Sequence, residues 1–182
     1  MLKFKDVLAN LDNVNVRAEL HGEDHDVAAD IKVTMSLPNT CLDMFDKDLR
    51  PSLFEKGELA DLDLVDDAEH QEMADQLGDD YMPVLKFPTM GMINWAYQTV
   101  GYRLIIEQGF SGEEDLVLIN TKLDKFRFDC KQGGSVNLSF RIIAHPNADD
   151  LGQLCQLIQQ TITLTLEPPA PGDDRQMDLE AA

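Results

Sequence analysis

The sequence lacks the cysteine and histidine spacings from which most small metal or redox sites are built. Cys41, Cys130 and Cys155 form no Cys-x-x-Cys pair and stand at no ligand spacing from a histidine, which excludes a structural zinc site or a thioredoxin-like motif. They read as buried, reduced thiols of a cytoplasmic protein. No window approaches the ~18 consecutive apolar residues of a membrane span. The opening Met1-Leu2-Lys3-Phe4-Lys5-Asp6 is charged within its first six residues and lacks the apolar run of a signal peptide. Gly-x-Ser-x-Gly is missing, and Gly133-Gly134 has neither the Lys-Ser/Thr nor the following helix of a phosphate loop. These absences predict a chain that is not an enzyme and takes no cofactor and no metal.

Positive charge is scarce as well: 15 Lys and Arg against 34 Asp and Glu leave a net charge of -19. Its distribution is uneven. Between Glu55 and Asp80 eleven carboxylates face the single cation Lys56, whereas between Lys122 and Arg141 five cations face Asp124 and Asp129. Such polarity governs steering and association, not fold. With 182 residues and 43% hydrophobic content, one core suffices, since a chain of this size buries roughly 70% of its unfolded surface.

Apolar alternation defines most of the elements. Val14, Val16, Ala18 and Leu20, then Ala29, Ile31, Val33, Met35 and Leu37, predict a hairpin over 14–37 with a polar tip, Gly22-Glu23-Asp24-His25-Asp26. Thr40-x-x-Asp43 resembles a capping box, and Leu42, Phe45 and Leu49 give a short helix that Pro51 ends. The acidic stretch is expected to be a long excursion with one weak helix over 66–77. Strands follow at 84–87, 93–99 and 102–107, the last two paired as a hairpin about Val100-Gly101. Beyond Gly109 come strands at 116–119, 123–130 and 135–143, the last pair joined through Gly133-Gly134, whose positive φ suits a tight turn. Asn147 caps a helix carrying Leu151, Leu154, Cys155 and Ile158 on one stripe, and Ile162, Leu164 and Leu166 alternate in a final strand.

This pattern predicts an α+β, strand-dominated fold of antiparallel sheets, a sandwich or one strongly curved sheet, with two or three short flanking helices. Residues 1–167 form one β-rich domain with the acidic excursion at 55–80, and 168–182 form a Pro-rich acidic tail. Phase selects a core of Val16, Leu20, Ile31, Val33, Trp95, Leu104, Phe126, Phe128, Val136, Leu138, Phe140, Leu154, Ile158, Ile162 and Leu164.

Two surfaces remain as candidates. Asp61, Asp63, Asp66, Asp67, Glu69, Glu72, Asp75, Asp79 and Asp80 make a negative surface for a basic protein. Lys122, Lys125, Arg127, Lys131 and Arg141 make a cationic sheet face that suits phosphates, although base stacking also needs exposed aromatics and Phe126 and Phe128 phase inward. His21, Glu23, Asp24, His25 and Asp26 crowd together without a ligand motif and read as a solvated turn.

The segments Met82-Pro83-Val84-Leu85-Lys86-Phe87-Pro88 and Phe126–Ile142, with the helix and Thr-rich strand that follow, resemble small acidic accessory proteins of unknown function from temperate phages. The resemblance covers about half the chain and implies the bacterial cytoplasm, where such proteins counter host defences or serve DNA metabolism. Two partner classes follow: a basic host or phage protein whose nucleic-acid-binding groove is occupied by DNA mimicry, or single-stranded DNA carried on the hairpin 122–141 while the acidic tail contacts other proteins. A membrane is not expected as a partner, and a homo-oligomer is compatible with either.

Overall fold

The computed structural model describes residues 1–21, 24–57, 68–107 and 115–169. Six long strands close on themselves: β1 (Phe4–His21), β2 (Asp24–Pro38), β6 (Thr99–Glu107), β7 (Leu116–Cys130), β8 (Ser135–Ala144) and β9 (Thr161–Glu167). They run in the order β7-β6-β9-β1-β2-β8, and β8 returns to pair with β7, every pairing antiparallel. The architecture is thus a barrel, more specific than the expected sandwich or curved sheet. A short strand β5 (Ile93–Trp95) joins β7 beyond the end of β6. A separate two-stranded sheet pairs β3 (Phe54–Glu55) with β4 (Val84–Leu85).

Bulges explain both the closure and the mistaken strand boundaries. Five register shifts each insert an extra residue, which bends a strand and increases its twist, the curvature a barrel needs. Along β7 the inward pairs are Leu116 and Leu118, then Thr121 and Leu123, then Phe126 and Phe128. Asn120 and Lys125 stand between them with φ of 55° and 54° and reset the phase each time. The expected strands 116–119 and 123–130 are therefore one strand. A bulge at Val100-Gly101 likewise lies inside β6; the hairpin expected there does not form, because β5 and β6 both pair with β7.

The barrel is packed solid. Phe4 stacks on Phe140 at 6.3 Å and Phe140 on Phe126 at 5.2 Å, among Ile31, Val33, Leu104, Leu138 and Leu164. Most of the core expected from phase is inside. Val16 is a correction: it pairs with Ala29 as phase requires, yet is 46% exposed, because β9 accompanies β1 only through Asn10 and leaves this end of the strand uncovered. Trp95 and Ile158 are only partly buried at the rim, and the side chain of Leu20 lies outside the described residues.

Between β2 and β5 the chain makes an insert, residues 39–92. Its start is a 3-10 helix (Asn39–Met44) followed by α1 (Leu49–Leu53), in place of the continuous helix expected. Thr40 makes no capping bond, and Pro51 sits inside α1, where an early helical position tolerates its missing N–H. The expected weak helix is α2 (Ala68–Leu77). Phe45 packs edge-on against Phe126 and Phe128 at 5.2 and 4.8 Å, and Leu42 and Phe54 are fully buried beside it. Helix α3 (Ala148–Gln156) is capped as expected, Asn147 Oδ1 accepting from the Asp150 amide at 2.8 Å, and buries Leu154. Among the described residues no helix is long and apolar enough to cross a membrane.

Candidate interaction surfaces

The outer face of β2, β8 and β7 places Arg141 between two acids. Its Nε and Nη2 donate to both carboxylate oxygens of Asp124 at 2.7 and 2.6 Å, and Nη1 donates to Asp30 at 2.8 Å. Asp30 also accepts from Arg17 Nε at 3.1 Å, Arg17 pairs with Glu19, and Glu19 faces His145 at 3.1 Å. Two-pronged charge-assisted bonds of this kind are strong and fix orientation. The bonds from Arg141 hold the Asp124 carboxyl below its ordinary range, and Asp124 in turn raises the Arg141 guanidinium.

This network corrects the expected cationic face. Arg141 is engaged on both sides, and Lys131 pairs with Asp129 at 2.8 Å, so two of the five cations are neutralised locally. Lys122 is half-buried, Lys125 and Arg127 are exposed, and none of these three has an ion pair among the described residues. The bulge makes the difference: Asp124 turns out to meet Arg141, and Lys125 turns out beside it.

At the same bulge β7 changes partners. β6 accompanies it as far as Leu123 and β5 takes over at Phe126, which leaves a notch of about 550 Å³ lined by Trp95, Tyr97, Gln98, Asp124, Lys125 and Arg127. Tyr97 is 38% exposed while resting on Phe126 and Phe45 at 5.7 and 6.3 Å, and Trp95 leans on Phe128 at 6.1 Å. In the sequence Ile93, Trp95 and Tyr97 alternate with Asn94, Ala96 and Gln98, which is why the expected strand runs to 99, whereas β5 ends at Trp95.

The insert carries fourteen carboxylates against Lys47, Arg50, Lys56 and Lys86, ten of the nineteen net negative charges. Glu72 and Asp75 on α2, and Asp79 and Asp80 in the following 3-10 turn, are all exposed and in no ion pair among the described residues. Asp61, Asp63, Asp66 and Asp67 lie outside the described residues, as do the side chain of Glu69, the tip Gly22-Glu23 with the side chains of His21, Asp24 and His25, and the tail from residue 170. The insert is clasped to the β7–β8 turn. Gly133 N donates to Pro83 O at 2.9 Å, Tyr81 Oη to Gly133 O at 2.9 Å, Leu85 N to Gln132 Oε1 at 2.9 Å and Asn39 N to Gly134 O at 2.8 Å. Arg50 ties α1 to the 3-10 helix Asn39–Met44 through Asp43 at 2.9 Å and to the acidic turn through the Asp80 carbonyl at 3.0 Å.

Beside the clasp a cleft of about 300 Å³ is lined by Leu53, Leu85, Phe87, Met90 and Cys130, with Phe87 and Met90 half-exposed. The cysteines differ from the expectation of three buried thiols: Cys41 is buried, Cys130 half-buried and Cys155 exposed. Burial pushes the Cys41 thiol up to about 12 and that of Cys130 up to about 11, so neither is a thiolate near neutral pH. Comparison with family models, with curated proteins and with solved structures finds no match to this chain.

Proposed function

We propose that this protein is a non-enzymatic interaction protein whose acidic insert binds a basic protein, a host or phage factor that handles nucleic acid, by occupying its phosphate-binding groove. One observation carries this reading. The acids on the barrel wall are largely matched with cations, as in the Arg17–Asp30–Arg141–Asp124 ladder, whereas Glu72, Asp75, Asp79 and Asp80 stand exposed and have no ion pair among the described residues. Unmatched surface charge contributes little to stability but raises the encounter rate with an oppositely charged partner. The clasp between residues 81–85 and 132–134 supplies a rigid base, so that the charges of the 3-10 turn are presented in a fixed array instead of being ordered on binding.

The test is competition. The protein is used as bait in a bacterial lysate treated with nuclease, the captured protein is purified, and duplex DNA is titrated into the complex. The reading predicts that DNA displaces the bait stoichiometrically from the captured protein. Simultaneous binding of bait and DNA would overturn it, because a groove filled by acidic side chains has no room for phosphates.

A further inference from the structure

We infer that the notch at the β7 bulge is a binding site for single-stranded nucleic acid, separate from the acidic insert's role and independent of it. Three features coincide there. First, Lys125 and Arg127 are exposed at its wall with no carboxylate engaged among the described residues, and Lys122 lies on the same strand. The one acid in the lining, Asp124, is occupied on both oxygens by Arg141, which leaves the lining net positive. Second, Tyr97 offers part of its ring to solvent while the rest is braced on Phe126 and Phe45. A braced, half-open aromatic is the platform on which an unpaired base stacks, whatever its identity. Third, Asn94 stands opposite Arg127 in the strand register, and Gln98 closes the far side, so amide donors and acceptors lie within the same opening as the ring and the cations.

Each feature alone describes an ordinary surface. Together they match the two requirements of single-strand binding, a cation for the backbone and a π face for the base. A duplex fits poorly, since its bases are already stacked on one another and cannot reach Tyr97. An acidic peptide would satisfy Lys125 and Arg127 but make no use of the ring. The net charge of -19 repels polyanions at long range, but at physiological salt such repulsion is screened beyond about 8 Å, and contact with Lys125 and Arg127 decides binding.

The experiment uses the full chain and a fluorescent oligothymidine of about ten nucleotides, with anisotropy followed at several salt concentrations. Wild type is expected to bind, with affinity falling as salt rises. Lys125→Ala with Arg127→Ala is expected to weaken binding at least about tenfold and to flatten the log–log salt slope by about 1.4, the share of two single-strand phosphates. Tyr97→Ala should weaken it about fivefold or more, while Tyr97→Phe retains affinity because stacking needs the ring and not the hydroxyl. Lys56→Ala, at an exposed cation just past β3 that does not line the notch, should change nothing. Lys125 and Arg127 are exposed, so their variant fold is secure even if Tyr97→Ala is destabilised. No binding by wild type, or equal loss with Lys56→Ala, overturns the inference. It is overturned as well if oligoglutamate displaces the oligonucleotide at equal concentration and Tyr97→Ala is silent, which would make the notch a site for acidic peptides.

Discussion

Arg141 illustrates how a single side chain changes the meaning of a surface. Its side chain is about one quarter exposed and those of its partners Asp124 and Asp30 less, so Arg141→Ala strands the partly desolvated Asp124 carboxylate, leaves Asp30 with Arg17 alone, and is expected to cost roughly 1–3 kcal/mol at neutral pH. The pH dependence has a defined sign. Because the folded Asp124 carboxyl lies below its ordinary range, the stability it contributes is fully present above an unfolded value of about 3.9 and is lost as pH falls through the lower folded value. Denaturant melts of wild type and Arg141→Ala should therefore differ by a constant amount above about pH 5 and converge below about pH 4; a gap that widens in acid would contradict the assignment. Phe126→Ala, which removes the central ring of the aromatic column, is expected to cost about 3–5 kcal/mol. That Phe126 and Phe128 point inward was legible from alternation alone. The neutralisation of Arg141 was not, since its partner Asp30 lies 111 residues away in sequence and only barrel closure brings them together.

At the scale of elements, bulges and the clasp decide what the sequence conceals. Strand existence was readable wherever period-two alternation ran unbroken, as over Ser135–Ala144 and Thr161–Glu167. It failed where an inserted residue shifts the phase: Asn120 and Lys125 made β7 look like two strands, and the phase breaks at Asp6 and Asp12 hid the first half of β1, up to Asn13. An interrupted alternation looks like a strand end to a reader of sequence, whereas in a closed barrel it marks the place where the sheet turns. The glycines of the β7–β8 turn were read correctly, with φ of 89° at Gly133 and 83° at Gly134. Their second role, close approach, came from the structure: a Cβ on Gly134 would stand 3.2 Å from the Met82 carbonyl oxygen and 3.3 Å from the Tyr81 ring. Gly134→Ala should therefore destabilise by roughly 1–3 kcal/mol and loosen the clasp, seen as faster amide hydrogen exchange at Gly133 and Leu85. Unchanged exchange at both amides would mean that the insert is held by Phe45 and Phe54 alone.

For the whole molecule, the charge separation is the feature that sequence and fold share. A closed six-stranded barrel whose wall carries largely matched ions bears an insert that holds ten of the nineteen net negative charges. The acidic run was legible from composition; the contrast with a neutralised wall required the register of β2, β7 and β8. Electrostatic steering makes a prediction that packing does not. Glu72→Gln, Asp75→Asn, Asp79→Asn and Asp80→Asn together should leave stability within about ±0.5 kcal/mol, since all four side chains are solvated. The direct measurement is the association rate constant of the captured basic protein with wild type and with this fourfold variant, followed by stopped flow from low to moderate salt. Wild type is expected to associate about tenfold or more faster at low salt, with the two rates converging as salt rises. Equal rates at every salt concentration would contradict it and reduce the insert to a solubilising excursion.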